Sequence, residues 1–173
     1  HLLEQLAGIS TTVSYASEAR YAPCPLRENT LIIGVTQSGE TADTLAALGM
    51  EQQRRLDKAV NFTSRFLGIT NRVESSITNL VDEVIDIRAG IEIGVAATKT
   101  FIAQVMVFYF LAIDLAWQRQ YLSGERIREI IDGLQKIPVQ MEEMLEVQDS
   151  QIEDFAHQFN DTQDFIFIGR GIN

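Results

Sequence analysis

The run NTLIIGV, residues 29–35, passes without a break into TQSGETADTLAAL, residues 36–48. The first stretch is continuously apolar and β-rich rather than alternating, the pattern of a strand covered on both faces in a parallel sheet. The second opens a helix that the pattern carries from about Gly39 to Val60. The motif then repeats: a short strand FLGIT at 66–70, a brief helix at about 73–80, and a strand DEVIDIRA at 82–89. After the loop GIEIGVAA comes a long apolar helix at about 97–119. TTVSYA, 11–16, alternates weakly and is expected as a further strand. Strands and helices in this alternation specify an α/β domain with a parallel sheet. In such sheets the loops that leave the carboxyl ends of the strands share one edge, where ligands bind. Here those loops are 36–41, 70–73 and 89–97.

The flanks carry a different texture. His1–Ala7 reads as the end of a helix with Gly8 as its stop, so the chain is expected to begin inside a longer polypeptide. From Gly124 onward the pattern is amphipathic: GERIREIIDGLQKI, then PVQMEEMLEVQ opened by Pro138, then SQIEDFAHQFN at 150–160 with Ser150 as its cap and Glu153 three residues on. DFIFIGRG, 164–171, reads as one more buried strand ending in a glycine turn. The expected organisation is an incomplete α/β domain at 1–120, a helical connection at 121–162, and the first strand of a second unit at 163–173.

Composition removes several function classes. A formal charge of −10 over 173 residues argues against a nucleic-acid partner, whose phosphates select basic faces. The single cysteine, Cys24, lies between prolines in APCPLR; it excludes an internal disulfide framework and fits a reducing, cytoplasmic compartment. The only histidines are His1 and His157, far apart and without cysteine partners, so no metal site is expected. No basic start followed by an apolar core marks a signal peptide. FIAQVMVFYFLAIDLAW, 101–117, is shorter than the roughly 20 residues that span a bilayer, and Gln104 and Asp114 interrupt it. A buried or subunit-interface helix is expected there, not a membrane span.

The chemistry concentrates in TQSGET. Phosphate calls for hydrogen-bond donors converging from several directions, and a helix N-terminus offers free N–H groups at the positive end of its dipole. Thr36, Ser38 and Thr41 add hydroxyls, Gln37 an amide, and Gly39 room for the backbone to approach. No lysine is present, so this is no nucleotide-triphosphate cradle. The bland alternative is that these residues merely cap a helix, with Glu40 complementing the dipole. Spacing alone leaves both readings open.

TQSGETADTLAAL, followed some fifty residues later by EIGVAATKTF, resembles the sugar-isomerase (SIS) family. More narrowly it resembles the isomerase half of the glutamine–fructose-6-phosphate aminotransferases, whose usual wording is S-Q-S-G-E-T-A-D-T-L and then E-I-G-V-A-S-T-K. LAGI at 6–9, ASEARY at 16–21 and the terminal FIFIGRGIN match in order, so the resemblance covers nearly the whole chain. It implies a three-layer fold with a flavodoxin-like parallel sheet followed by extra helices. It implies that Thr36, Gln37, Ser38 and Thr41 bind the phosphate of fructose 6-phosphate or glucosamine 6-phosphate, with Val95 and Ala97 against the sugar chain. Thr36 stands for the family's first serine and keeps the hydroxyl. Ala97 stands where the family usually has serine, so one hydroxyl contact is missing.

Lys99 invites a Schiff-base reading, but the family's imine lysine lies near its far C-terminus, and Lys99 is read as structural. Glu92 is read as a loop hydrogen-bonder rather than the enolising base. The family's upstream C-G-T-S loop, its enolising glutamate, its ring-opening histidine and its glutaminase domain have no counterpart here. The segment is therefore expected to bind sugar phosphate, with no catalytic residue and no cofactor of its own, inside a dimeric enzyme that converts fructose 6-phosphate and glutamine to glucosamine 6-phosphate. The rival readings are a non-catalytic SIS sensor of sugar phosphate and a stand-alone sugar-phosphate isomerase. Finally, the resemblance implies a sheet order 2-1-3-4-5 with its central strand missing before His1, which leaves a gap between 11–16 and 30–35. DFIFIGRG, from its own chain or from a partner copy, is expected to insert there in parallel, placing Arg170 and Gly171 near Ser38; direct closure of 11–16 onto 30–35 is the alternative.

Overall fold

The computed structural model describes residues 1–56, 58, 64–94 and 96–168. Two units divide the chain, His1–Leu122 and Ser123–Asn173. In the first, α1 (Leu2–Ala7) and α2 (Ala16–Ala19) precede β1 (Thr30–Val35), α3 (Ala42–Leu56), β2 (Ser64–Thr70), a 3-10 turn (Ser76–Asn79), β3 (Glu83–Asp86) and α4 (Lys99–Gln118). The strands form one parallel sheet in the order β1-β2-β3, with Ile32 opposite Phe66, Val35 opposite Ile69, and Thr70 opposite Asp86. This is the run of neighbouring parallel strands that the alternation of motifs specified.

Burial explains the register. Leu48 of α3, Phe66 of β2 and Ile77 of the 3-10 turn form a buried cluster, joined by Ile32, Leu45, Leu80 and Val81. Gly34 and Gly68 lie opposite one another in β1 and β2. A Cβ on Gly34 would stand 2.8 Å from Leu48 Cδ1, so the missing side chain is what lets α3 settle on the sheet. Fully burying a side chain such as Leu48 contributes about 1.5–3 kcal/mol. Helix α1 packs on α4 instead, with Leu3 and Ala7 buried on one and Ala112, Ile113 and Ala116 on the other.

Several expected elements differ. Residues 11–15 form no strand, and α2 begins at Ala16. A strand needs a neighbour for its N–H and C=O groups, and among the described residues β1 has one only on its β2 side. Val13 and Tyr15, the apolar half of that alternation, are exposed. Among the described residues of this chain neither insertion nor direct closure is formed: residues 164–168 are in no strand, and Phe167 and Ile168 are 94% and 92% exposed. Arg170 and Gly171 lie outside the described residues, as does the expected helix end at 59–60. Strand β3 stops at Asp86 rather than 89 because the backbone turns at Arg88, φ 49°, although Ile87 N still donates to Thr70 O at 3.0 Å.

Among the described residues the second unit holds one helix, α5 (Gly124–Gln158), where three were expected. Ser123 caps it, accepting from Arg126 N at 3.2 Å. Pro138 lies inside this 35-residue helix, and Ser150 is helical rather than a cap. Proline removes one backbone bond, toward the carbonyl of Leu134, but the chain on both sides is rich in Glu, Gln, Lys, Leu and Met, which favour helix. The helix runs through.

Candidate functional site

The turn after β1 builds a small hydrogen-bonded bowl. Thr36 N donates to Ile69 O of the neighbouring strand at 3.0 Å, which fixes where the turn starts. The Thr36 side chain, 5% exposed, lies inside the turn; its Oγ1 accepts from Gly39 N at 3.3 Å and meets Thr41 Oγ1 at 2.6 Å. Ser38 Oγ accepts from Glu40 N at 3.1 Å, and its own O–H keeps a free hydrogen to donate. Gly39 takes the left-handed conformation, φ 70°, that reverses the chain into α3. Leu45 N donates to Thr41 O, so the N–H groups before it in the first turn have no acceptor within the helix. Four expected residues, Thr36, Gln37, Ser38 and Thr41, therefore share one turn at a helix N-terminus. The Gln37 side-chain amide makes no hydrogen bond among the described residues.

The neighbouring turns hold this one in place. Asn71 N and Thr70 Oγ1 both donate to Gln37 O, at 3.0 and 3.3 Å. The Asn71 side chain reaches the loop after β3: Nδ2 donates to Gly90 O at 2.6 Å, and Oδ1 accepts from Ala89 N at 2.9 Å. One asparagine thus ties together all three loops at the carboxyl edge. Sequence reasoning marked 70–73 as an edge loop and gave Asn71 no part; its one signal is position, the first residue after β2, with a side chain that mimics a peptide group.

In the third loop, Glu92 Oε2 accepts from Thr98 N at 3.2 Å, Thr100 N at 3.1 Å and Thr100 Oγ1 at 2.9 Å. It caps α4, whose own N-cap residue, Thr98, makes no side-chain cap bond. Hydrogen bonding from the Thr100 backbone, then from its hydroxyl and from Thr98 N, holds the Glu92 carboxyl below its ordinary range, with the charge of Lys99 adding to the effect. A carboxylate engaged by three donors is a poor proton acceptor, which agrees with its reading as a loop hydrogen-bonder. Ala97 is exposed on this loop, and Val95 lies outside the described residues. Among the described residues no cluster of His, Cys, Asp or Glu could hold a metal ion.

The fold has known counterparts. A SIS-domain family profile matches residues 1–114, two thirds of the chain. The chain belongs to the SIS family. Glutamine–fructose-6-phosphate aminotransferase of Synechocystis sp. is 64% identical over this whole SIS chain, and its counterpart in Nostoc sp. is 63% identical. The chain spans only 27% and 28% of the length of those relatives. Among solved structures, the C-terminal domain of glucosamine-fructose-6-phosphate aminotransferase from Francisella tularensis superposes with a TM-score of 0.84 at 30% identity, covering 98% of this chain and 46% of that one. The resemblance read from TQSGETADTLAAL and EIGVAATKTF thus extends to structure, and this SIS chain matches a part of those aminotransferases.

Proposed function

We propose that this chain is the sugar-phosphate-binding SIS unit of a cytoplasmic glutamine–fructose-6-phosphate aminotransferase, an enzyme that makes glucosamine 6-phosphate. The observation that carries the reading is the hydroxyl turn 36–41, set at the N-terminus of a 15-residue helix on the carboxyl edge of a parallel sheet. Free N–H groups, the positive dipole end and convergent hydroxyls suit one phosphate monoester. The hydrogen bonds suggest a division of labour. Thr36 accepts from Gly39 N and shares one hydrogen with Thr41; with Thr36 as that bond's donor when an anion is bound, the Thr41 hydrogen, with that of Ser38, is left for the anion. Val95 and Ala97 would border the sugar. The full-length enzyme should bind fructose 6-phosphate far more tightly than fructose in calorimetry; equal affinity for the two sugars would overturn the reading.

We further propose that the unit works as a homodimer that covers α4. Within this chain only Thr100, Ala112, Ile113 and Ala116 of that helix are buried, and Phe101, Ile102, Phe110 and Trp117 are exposed. By length and composition alone α4 could cross a membrane. Its flat run of aromatic side chains, broken by Gln104 and Asp114, fits a second protein surface better than lipid. Sedimentation velocity at micromolar concentration should show a dimer; a monomer would count against it.

A further inference from the structure

A turn read as anion-binding, with one acidic residue in it and another just beyond, poses an electrostatic question. Glu40 sits inside the TQSGET turn, and Asp43 lies in the first turn of α3. Two carboxylates near a phosphate would raise its binding free energy unless each charge were taken up elsewhere. Asp43 is taken up by Arg20 at the end of α2, whose Nη1 donates to Asp43 Oδ1 at 2.7 Å. Glu40 turns away from α3 to the 71–77 segment, where its Oε1 accepts from Ser76 N at 2.8 Å, at the N-terminal end of the 3-10 turn.

We propose that Glu40 is a positioning residue: its carboxylate ties the hydroxyl turn to Ser76 and so holds the Ser38 and Thr41 donors where an anion meets them. The inference rests on the phosphate-binding reading above. Three further contacts converge on the same strip. Ile77 N donates to Gly39 O at 3.1 Å, and Asn71 N to Gln37 O at 3.0 Å. Ser75, buried and donating its own hydroxyl to Arg72 O, packs directly against Gly39. Backbone bonds thus fix Gln37 and Gly39, while Glu40 supplies the last tie before the helix begins. Bonds from the Ser76 hydroxyl and N–H, with the Arg72 charge behind them, hold its carboxyl below the ordinary range, so the tie is fully charged at neutral pH.

The two obvious variants separate the tie from the charge. Glu40→Gln keeps an acceptor for Ser76 N and removes the charge, whereas Glu40→Ala removes both. In the full-length enzyme, Glu40→Ala should weaken fructose 6-phosphate binding about fivefold, the scale of one such hydrogen bond, while Glu40→Gln stays within about twofold of the parent. The midpoint of global unfolding should be the same for both variants, which a purely structural role would not allow. Without ligand, amide exchange over 36–41 and 76–79 should quicken in Glu40→Ala alone. Equal fructose 6-phosphate affinity in the two variants, or unchanged exchange in Glu40→Ala, overturns the proposal. Failure of the parent protein to bind fructose 6-phosphate would instead overturn the functional reading, and the exchange experiment would still judge the tie.

Discussion

Gly39→Ala is expected to cost the protein both stability and its anion site. The backbone at Gly39 has φ 70°, a conformation that places a Cβ too close to the following carbonyl and costs an L-residue roughly 1–2 kcal/mol. The surroundings add a second penalty. A Cβ built there would collide with Ser75 Oγ and stand 2.6 Å from Ser75 Cβ and 3.2 Å from Ile77 Cγ2. Ser75 and Ile77 are both buried, and Ile77 belongs to the central cluster with Leu48 and Phe66, so neither can step aside cheaply. Overpacking of this kind costs about 1–3 kcal/mol, giving a combined loss of roughly 2–5 kcal/mol in denaturant unfolding. The collision lies inside the turn, so whatever relief the backbone finds moves Ser38 and Thr41. Fructose 6-phosphate binding should fall below detection under conditions where the variant is still folded. A variant that unfolds at the parent's denaturant midpoint would show that the turn is looser than its contacts imply.

That collision also separates what the sequence displays from what it conceals. The hydroxyl turn is legible because its chemistry is local: a buried strand, a glycine, and side chains within six residues that bond to one another. The parallel strands are legible because 29–35 and 66–70 are apolar runs, 82–89 carries Val84, Ile85 and Ile87, and helix-forming stretches separate them; their order is what the family resemblance implies. What holds the turn is hidden, since Glu40 meets Ser76 and Gln37 meets Asn71 across more than thirty residues of chain. No periodicity records those meetings. Residues 11–16 and 164–171 fail for a related reason. Each has the composition of a strand, but a strand exists only as a pair, and composition does not name the partner. Residues 164–168 retain the apolar character expected of a buried strand and are exposed along their length. Pro138 misleads in the opposite direction, because a local breaking signal yields to good helix formers on either side.

The double change Ser38→Ala with Thr41→Ala tests the outward donors directly and should leave the fold standing. Neither side chain carries the core: Thr41 is exposed and Ser38 half-buried. Ser38 Oγ gives Glu40 N its acceptor, and at this exposed position water can replace it. Removing Thr41 Oγ1 leaves Thr36 Oγ1 its bond from Gly39 N but takes away the partner of its own buried O–H. Stability should therefore fall by about 1–3 kcal/mol, the cost of one buried donor left unmet. Binding should respond more. A hydrogen bond to a charged group contributes roughly 1.5–3 kcal/mol, because the anion polarises the donor and must otherwise be left to a partner it lacks. Two such donors lost together should weaken fructose 6-phosphate binding at least tenfold in the full-length enzyme. The single changes should combine less than additively, since both hydroxyls address one phosphate and the loss of either lets it shift toward the free N–H groups of α3. Calorimetry with fructose 6-phosphate gives the comparison. Unchanged affinity in the double variant would reduce TQSGET to a helix cap and remove the phosphate from this turn.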